Sequence, residues 1–466
     1  MDRRQNSFFF NGINARTGDY LFPPQSAEEI LSRLRGMPKS DKRVVMPGID
    51  PKELSQAGWG VIFHERENPE VREALRPLLE HRKAQAARRF QSHYREFYGE
   101  TGFRDGEAKE DFLVRRGAVL GPVAPSKMPY YLLIVGDPKL IPFHFQHQLD
   151  VQYAVGRICF DTPEEYERYA KSVVEAETRE ASRGRRVSLF GVSNADDYAT
   201  QLSASHLVKP LAERLGAPAE WQESTDWDWE IQTVMPQDAT KERLGRLIGG
   251  DETPALLFTA SHGMGFPCGD PLQRAHQGAL LCQDWPGPKE WRKSVPPDFY
   301  FAGEDVSESA RVAGMVVFHF ACHGAGAPAL DEFAISGGAS PRQIAPEPFV
   351  SRLPQRLLSH PGGGALAVVG HVERAWAHSF LSKTSTSQIG AFESALRLLM
   401  DGYPVGYAME FFNLQYAELA ADLTLALQRS GYGEKIPKEI ESLWLANNDA
   451  RNYAVIGDPA VRVAVR

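Results

Sequence analysis

The chain has 466 residues, about three times the length of a typical domain, so it can bury a large core across several structural units. Its composition, 42% hydrophobic and 24% charged, is that of a globular protein, and no apolar run approaches the ~18 residues that a bilayer-spanning helix needs. With 52 lysines and arginines against 60 aspartates and glutamates, the net charge of −8 provides no chain-wide basic field for a nucleic-acid backbone. The composition therefore excludes a membrane protein and disfavours nucleic acid as the principal partner.

The cysteines favour a reducing compartment. The chain has 4 of them, at positions 159, 268, 282 and 322, with no C-x-x-C pair and too few for a disulfide framework. The amino-terminal stretch MDRRQNSFFF has only a short phenylalanine run, unlike the apolar region of a secretory signal. We therefore predict a cytoplasmic protein.

Residues 1–124 are polar and rich in turns, and they contain no motif with recognisable chemistry. Within them, the stretch from Asn68 to about Tyr98 has leucines and charges at helical spacing, and Pro69 stands where a first-turn proline is favoured. We predict a helix there, within a mixed or helical N-terminal region of unknown role.

An α/β pattern begins at Pro129. The apolar run YYLLIVGDPKLIPF is typical of a buried strand that ends in a turn, here Gly136-Asp137-Pro138. A helix is predicted over residues 163–179, and the basic stretch SRGRR at 182–186 is typical of a linker.

Strands and helices are predicted to alternate from residue 183 onward. Helices are expected over 201–215 and 240–250, and strands at VSLFGVS (187–193), ALLFTASHG (255–263), MVVFHFACHG (315–324), GALAVVG (364–370) and YAVIGDP (453–459). Each apolar strand ends at a glycine or a polar residue, as in a parallel sheet whose functional loops meet at the carboxyl edge.

Two of these strands end in reactive side chains, in the sequences Ser261-His262-Gly263 and Cys322-His323-Gly324. Because loops at the carboxyl ends of neighbouring parallel strands converge, the histidine and the cysteine can lie within reach of each other. A thiolate nucleophile needs a nearby base or imidazolium, and glycines allow backbone N–H groups to approach an oxyanion. The pattern predicts a cysteine–histidine dyad.

Other interpretations of these residues are weaker. A lone cysteine after an apolar strand is usually a small buried hydrophobe, but Cys322 is accompanied by the matching histidine loop. His319 and His323 flank Cys322, yet positions along a strand do not converge on one metal ion, so no metal is predicted. Cys268 is interpreted as an ordinary loop cysteine. The motifs of serine hydrolases, phosphate loops, zinc peptidases and dinucleotide-binding folds are absent from the sequence.

As a set, the motifs resemble the caspase-like cysteine peptidases, specifically the gingipain branch and its bacterial CHAT relatives. The similarity covers residues from about 129 to the end and depends on five segments in the family order, namely YYLLIVGDPKLIPF with QLDVQYAVGR, FTASHGMG, VVFHFACHGAG, GGALAVVGHVERAWAHSF and NYAVIGDPAVRV. The stretch from Met264 to Gly314 is longer than in gingipains, and its GALLCQDW segment suggests an extra strand and flap. Residues 1–124 fall outside the resemblance.

The resemblance implies a caspase-like (caspase-hemoglobinase) three-layer α/β sandwich with a mostly parallel sheet. It implies a leading non-catalytic α/β subdomain over 125–182 and a catalytic domain over 183–466. His262 would be the catalytic histidine and Cys322 the nucleophile, with the amides of Gly263 and Cys322 as oxyanion donors. It implies no cofactor and no metal.

The resemblance also suggests which residues orient the histidine or line the primary (S1) pocket. Asn194, Asp196 and Asp197 lie where the family has such residues, although a helix-capping loop explains them equally well. An acidic residue there, with Trp376 packed on an aliphatic stem, would favour arginine or lysine before the scissile bond. Arg374 would instead favour aspartate or glutamate.

We therefore expect a cytoplasmic, regulatory cysteine endopeptidase that acts on protein or peptide substrates, with a basic preference and no nucleic-acid or membrane partner. An activating protein partner stays open. The alternatives are a catalytically silent caspase-like interaction module, a peptidase whose acidic preference is set by Arg374, and a transferase or ligase that uses the same acyl-enzyme.

Overall fold

The computed structural model describes residues 7–8, 12–20, 25–26, 49–118, 123–178, 183–217, 228–333, 342–381, 388–431 and 437–465. The remaining parts of the predicted 1–124 region, and Ser182 of the predicted linker, lie outside the described residues. Within the described ranges, no helix is both long and apolar enough to cross a bilayer.

Strands occur along most of the chain. In chain order they are β1 (Ser7–Phe8), β2 (Gly12–Asn14), β3 (Gln25–Ser26), β4 (Trp59–Phe63), β5 (Tyr94–Phe97), β6 (Tyr131–Val135), β7 (Ala154–Ile158), β8 (Arg186–Gly191), β9 (Glu230–Val234), β10 (Leu256–Ala260), β11 (Gly263–Gly265), β12 (Leu280–Leu281), β13 (Tyr300–Phe301), β14 (Val316–Phe320), β15 (Gly326–Ala327), β16 (Phe349–Val350), β17 (Ala367–His371) and β18 (Tyr453–Gly457).

The α-helices are mostly short, and a π-helical turn at Ala204–Val208 joins two of them. They are α1 (Leu54–Ala57), α2 (Pro69–Ala74), α3 (Arg76–Ala86), α4 (Lys109–Val114), α5 (Phe143–Asp150), α6 (Pro163–Thr178), α7 (Tyr198–Ser203), α8 (Lys209–Leu215), α9 (Lys241–Leu247), α10 (Gln273–His276), α11 (Arg352–Leu358), α12 (Gly390–Met400), α13 (Val405–Ala408), α14 (Glu410–Gly431) and α15 (Pro437–Arg451).

A ten-stranded sheet in the order β5-β4-β6-β7-β18-β17-β14-β10-β8-β9 forms the centre of the molecule. Every residue is buried in β4, β6, β7, β10, β14, β17 and β18. Because side chains alternate between the two faces of a strand, such burial requires cover on both faces of the sheet. The predicted fold class, α/β with a mostly parallel central sheet between two outer layers, is confirmed.

The sheet consists of two parallel halves that run in opposite directions. All neighbours within β5-β4-β6-β7-β18, which we call the first half-sheet, are parallel. The same holds within β17-β14-β10-β8-β9, the second half-sheet, and the two halves meet at the antiparallel pair β17–β18. The sheet is therefore mostly parallel, as predicted, and the antiparallel junction involves β18. This strand begins right after α15, where the Asn452 carbonyl accepts a hydrogen bond from the Val372 amide beyond the end of β17, and it runs back along that strand.

The helix predicted from Asn68 to about Tyr98 is correct only in its first part. Asn68 caps α2 by accepting a hydrogen bond from the Glu70 amide at 3.0 Å, and helical structure continues to the end of α3. The last residues instead form β5, which pairs with β4, and Tyr94 stacks on Trp59 with ring centroids 5.8 Å apart. Pairing and aromatic packing at the sheet edge outweigh the helical spacing here.

A small second sheet lies beside the carboxyl edge of the second half-sheet, in the order β13-β12-β11-β2. β12 falls in the GALLCQDW segment, so the extra strand expected there is present. Its edge strand, β2, comes from residues 12–14, far from the others in sequence. The amino-terminal region thus reaches the end of the sheet where His262 lies.

Candidate active site

The strand register brings the two predicted catalytic residues together. β10 and β14 are parallel neighbours with Ala260 opposite Phe320, so His262 and Cys322 each follow two residues after a matched pair. A Cβ atom placed on Gly263 would collide with the Cys322 carbonyl, so only glycine allows this approach of the two loops. The histidine and cysteine motifs are therefore in backbone contact.

His262 is fully buried, and its ring is held by a carboxylate. The Nε2 atom lies 2.8 Å from Asp197 Oδ2, so Nε2 carries the proton that the carboxylate accepts. Nδ1 has no hydrogen-bond partner among the described residues. Trp285, which the sequence did not suggest for the site, contacts the ring edge-on with centroids 6.4 Å apart. A buried, oriented and unpaired imidazole nitrogen can act as a base.

Asp197 owes its position to the turn between β8 and α7. It caps α7 by accepting from the Thr200 amide at 3.4 Å, and its Oδ2 also accepts from Thr200 Oγ1 at 2.5 Å. Tyr20 donates to its other oxygen, Oδ1, at 2.9 Å. Burial raises the pKa of Asp197, but His262 and these donors outweigh that effect and hold the pKa below its usual range.

Asn194 and Asp196 have different partners. Asn194 Nδ2 donates to the carbonyls of Cys282 and Trp285, at 3.1 and 2.9 Å, and so supports the segment that contacts His262. Asp196 has a positive φ of 56° and is partly exposed, with its carboxylate paired with Lys289. Of the three candidates from this segment, Asp197 alone contacts the histidine ring among the described residues.

Cys322 is completely buried. Its Sγ accepts a hydrogen bond from the Ala375 amide at 3.3 Å and lies 3.9 Å from the Ala375 carbonyl oxygen. Burial raises the pKa of Cys322 to about 12, against the smaller lowering effects of the Ala375 amide and the Arg374 charge. The thiol is therefore protonated in this closed conformation.

The residue after Cys322 makes a sharp turn. His323 has a φ of 58°, a conformation that costs a non-glycine residue roughly 1–2 kcal/mol. Its amide donates to the Glu373 carbonyl at 2.5 Å, and its carbonyl accepts from Ser351 Oγ at 2.5 Å. The Cys322 amide, one of the predicted oxyanion donors, has no acceptor among the described residues. The turn thus leaves this N–H free beside the thiol.

Arg374 is fully buried in a cluster of opposite charges next to Cys322. Its guanidinium pairs with Asp331 and lies 3.3 Å from Glu373 Oε1. It also lies 5.2 Å from the centroid of the Phe333 ring, on which Trp376 stacks. Arg374 and Trp376, the two pocket candidates from this segment, therefore share one aromatic neighbour. Asp331, rather than Asp196 or Asp197, supplies the closest acidic partner of Arg374.

A carboxylate from α15 holds the segment that contacts the thiol. Asp449 Oδ1 accepts from the Trp376 amide at 3.0 Å, and Oδ2 accepts from Ser379 Oγ at 2.5 Å. His371, at the end of β17, lies 3.4 Å from the same carboxylate. Helix α15 therefore helps to fix the position of the Ala375 backbone beside Cys322.

Sequence reasoning did not find Tyr20, Thr200, Asp331 or Asp449. Tyr20, Thr200 and Asp449 are common residue types far in sequence from the two reactive motifs, and Asp331 lies close after the cysteine motif but belongs to no recognisable pattern. Only the capping pattern of Asp197 followed by Thr200 could have indicated that the aspartate is held at a helix start.

The other cysteines and the histidine of the rejected metal site lie elsewhere. Cys268 is exposed, Cys159 and Cys282 are buried, and all are free thiols. His319 lies 2.8 Å from Thr259 Oγ1 through Nδ1, and burial lowers the pKa of His319 to about 3. No group of metal-binding side chains occurs within the described ranges.

No protein-family model and no curated protein sequence matches the chain. Among solved structures, the Arg-specific cysteine proteinase gingipain R (RGPB) is 12% identical to this chain. The match covers 88% of this chain and 78% of that chain, with a TM-score of 0.48. The complex of Porphyromonas gingivalis RgpB pro- and mature domains is 14% identical over 88% of this chain and 80% of that chain, with a TM-score of 0.46. The Saccharomyces cerevisiae separase–securin complex is 10% identical over 71% of this chain and 16% of that chain, with a TM-score of 0.32. Similarity this low assigns no residue, so the site stands on its own geometry.

Proposed function

We propose that this protein is a caspase-like cysteine endopeptidase that uses Cys322 as its nucleophile. The observation that carries the proposal is the buried Asp197–His262 pair, whose free Nδ1 lies in the loop that contacts the Cys322 backbone. A thiol, an oriented neutral imidazole and an unbonded amide N–H are the groups that acyl transfer requires.

In the proposed reaction, His262 Nδ1 accepts the thiol proton while Sγ attacks the carbonyl carbon of the peptide bond. The negative charge on the carbonyl oxygen is stabilised by the Cys322 amide, together with the Gly263 amide. The C–N bond then breaks, and His262 gives its proton to the leaving amine. Water, deprotonated by His262, hydrolyses the resulting thioester and restores the thiol. Asp197 keeps the imidazole in the required tautomer throughout.

For the residue before the scissile bond, we propose a basic preference. The cluster around Arg374 contains two carboxyl groups, from Asp331 and Glu373, so its own positive charge is already balanced. A substrate arginine or lysine could compete for these carboxyl groups. If Arg374 instead turns to the substrate, the preference becomes acidic.

The proposal is tested by incubating the purified protein with a diverse peptide library and identifying cleaved bonds by mass spectrometry. We expect cleavage by the wild type and by Cys268→Ser, whose thiol is exposed and remote from the dyad, and none by Cys322→Ala. Equal cleavage by Cys322→Ala would refute the assignment. Adding a free amine as acceptor separates hydrolysis from transfer, because a transferase would yield the amide of that amine.

A second candidate is a catalytically silent interaction module, and one observation favours it. Cys322, His262 and Asp197 are all completely buried, so this conformation offers no path for a peptide to the thiol. A thiol-reactive peptidyl probe distinguishes the two functions. Labelling of the wild type but not of Cys322→Ala supports the peptidase, whereas a chain that remains unlabelled and cleaves no peptide supports the module.

A further inference from the structure

Residues 12–20 form part of the wall of the proposed active site. β2 pairs in parallel with β11, with Gly12 opposite Gly263, so the pairing begins directly after His262. The segment is also tied down beyond the strand, where the Arg16 guanidinium donates to both oxygens of Asp270, at 2.6 and 2.7 Å. A segment fixed at both places can hold a side chain against the catalytic pair.

Tyr20 is that side chain. Its hydroxyl donates to Asp197 Oδ1 at 2.9 Å, and its ring lies edge-on to His262 with centroids 6.0 Å apart. The Tyr198 amide forms a hydrogen bond to Tyr20, which helps to orient the phenol. Since the His262 and Thr200 donors both bind Oδ2, Tyr20 supplies the side-chain donor for the other oxygen of the carboxylate.

We infer that Tyr20 is a positioning residue that acts on catalysis through Asp197. This inference rests on the proposed function and extends it to a segment outside the family resemblance. A fully buried carboxylate with one oxygen unbonded would be free to rotate and would lose stabilisation of its charge. Hydrogen bonds to both oxygens keep Asp197 ionised and in the orientation that fixes the His262 tautomer.

The protonation states are consistent with this role. Burial and the neighbouring Asp197 charge raise the pKa of Tyr20 well above its ordinary value, so the phenol remains a donor over the whole working pH range. A donor to an ionised carboxylate stabilises the state in which the adjacent imidazole is neutral. Removing the hydroxyl should therefore weaken the hold of Asp197 on the His262 ring.

Other ionisable groups near the pair are Cys322 and, around that thiol, Arg374, Glu373 and Asp449. Tyr20→Phe retains all of these groups, so a change in the pH profile would report the lost hydroxyl.

The first test compares peptide cleavage by the wild type, Tyr20→Phe and Tyr94→Phe. Tyr94 is a matched control because its hydroxyl also donates to a carboxylate, that of Glu96 at 2.7 Å, in the first half-sheet. We expect Tyr20→Phe to lower kcat about tenfold with KM within about twofold, and to move the acidic limb of the kcat profile to higher pH by about half a unit or more, because the proposed base must be neutral. Tyr94→Phe should match the wild type.

The second test follows the His262 ring signals by NMR as a function of pH, with His262→Ala used for assignment. Tyr20→Phe should move the His262 ring nitrogen signals towards a mixture of the two tautomers, and Tyr94→Phe should not. This measurement does not depend on turnover.

The outcomes separate the two proposals. If the wild type cleaves peptides and Tyr20→Phe keeps its kcat and pH profile, the inference about Tyr20 is overturned and the peptidase proposal stands. If the wild type cleaves nothing, the peptidase proposal falls. The NMR measurement then tests by itself whether Tyr20 acts on His262 through Asp197. Unchanged His262 tautomer signals would then overturn the coupling through Asp197, and a mixture of tautomers would support it.

Discussion

Both half-sheets consist of parallel strands, but the buried polar residues that follow their strands differ in how completely they are hydrogen-bonded. In the first half-sheet, Asp458 follows β18, and its oxygens accept from Arg82 Nε at 2.7 Å and from Trp59 Nε1 at 3.0 Å. In the second, His262 follows β10 and has one nitrogen bonded to Asp197 and the other without a partner in the described part of the chain. Both residues are buried, so burial does not distinguish them.

The difference lies in how completely each buried group is bonded. A buried group whose bonds are all satisfied holds the fold together, and any exchange of its proton would break those bonds. A buried base with a free lone pair beside a thiol contributes less to stability and remains available for chemistry. Changes at the first group should therefore affect unfolding, and changes at the second should affect turnover.

The largest effect is expected at the dyad. Cys322→Ala and His262→Ala should each lower kcat by at least about a thousandfold, because attack needs the thiol and departure of the amine needs a proton. The double variant should be no slower than the slower single variant, since the two residues act as one unit. Single-turnover assays on a common peptide measure all three. Additive losses in the double variant would mean that the residues act separately.

The next effect concerns the reactivity of the closed thiol. With a pKa of about 12, Cys322 has so little thiolate at pH 8 that iodoacetamide should modify it about a thousandfold more slowly than a small-molecule thiol. The sign follows from the raised pKa, because the thiolate fraction increases about tenfold per pH unit until the pH reaches that value. Mass spectrometry over time should therefore find the exposed Cys268 labelled first.

This prediction has an internal control, because peptide binding should speed the labelling of Cys322 and leave that of Cys268 unchanged. Rapid modification of Cys322 in the free protein at pH 8 would mean that the native thiol is open and ionised. The closed site would then not represent the resting state.

How much of the fold and of the candidate site the sequence predicts depends on how far apart in the chain the interacting residues lie. Apolar runs and glycines predict the strands of both half-sheets, and the register of β10 and β14 places His262 beside Cys322 as the motifs suggest. The direction of β18 is set by where the preceding helix ends, which strand patterns do not encode. Tyr20 and Asp449 reach the site only through tertiary packing, so no local pattern identifies them.

A change in the first half-sheet tests the other side of the comparison. Asp458→Asn should lower the free energy of unfolding by about 3–5 kcal/mol, because it removes one of the two carboxylate partners of the fully buried Arg82. Urea denaturation followed by circular dichroism measures this loss. Glu167→Gln is the matched control, because the ion pair of Glu167 with Lys171 is exposed. The urea midpoint of unfolding of this variant should equal that of the wild type. At temperatures where Asp458→Asn is folded, kcat should equal that of the wild type, and a large loss of kcat there would contradict the separation of roles.

The smallest effect concerns the preference for the substrate residue before the scissile bond. The charges of the Arg374 cluster allow either a basic or an acidic preference, and variants of the cluster distinguish the two. The preference is measured with fluorogenic peptides that differ only at this position, which holds arginine, lysine, aspartate, glutamate, leucine or methionine. We expect kcat/KM to be roughly tenfold higher for the basic residues. Asp331→Asn should reduce that preference, because it removes the carboxylate that pairs with Arg374 and would attract a substrate cation. Arg374→Ala should leave the preference basic or strengthen it, since one competing cation is lost. A clear preference for aspartate or glutamate that disappears in Arg374→Ala would reverse the proposal and make Arg374 the residue that selects the substrate.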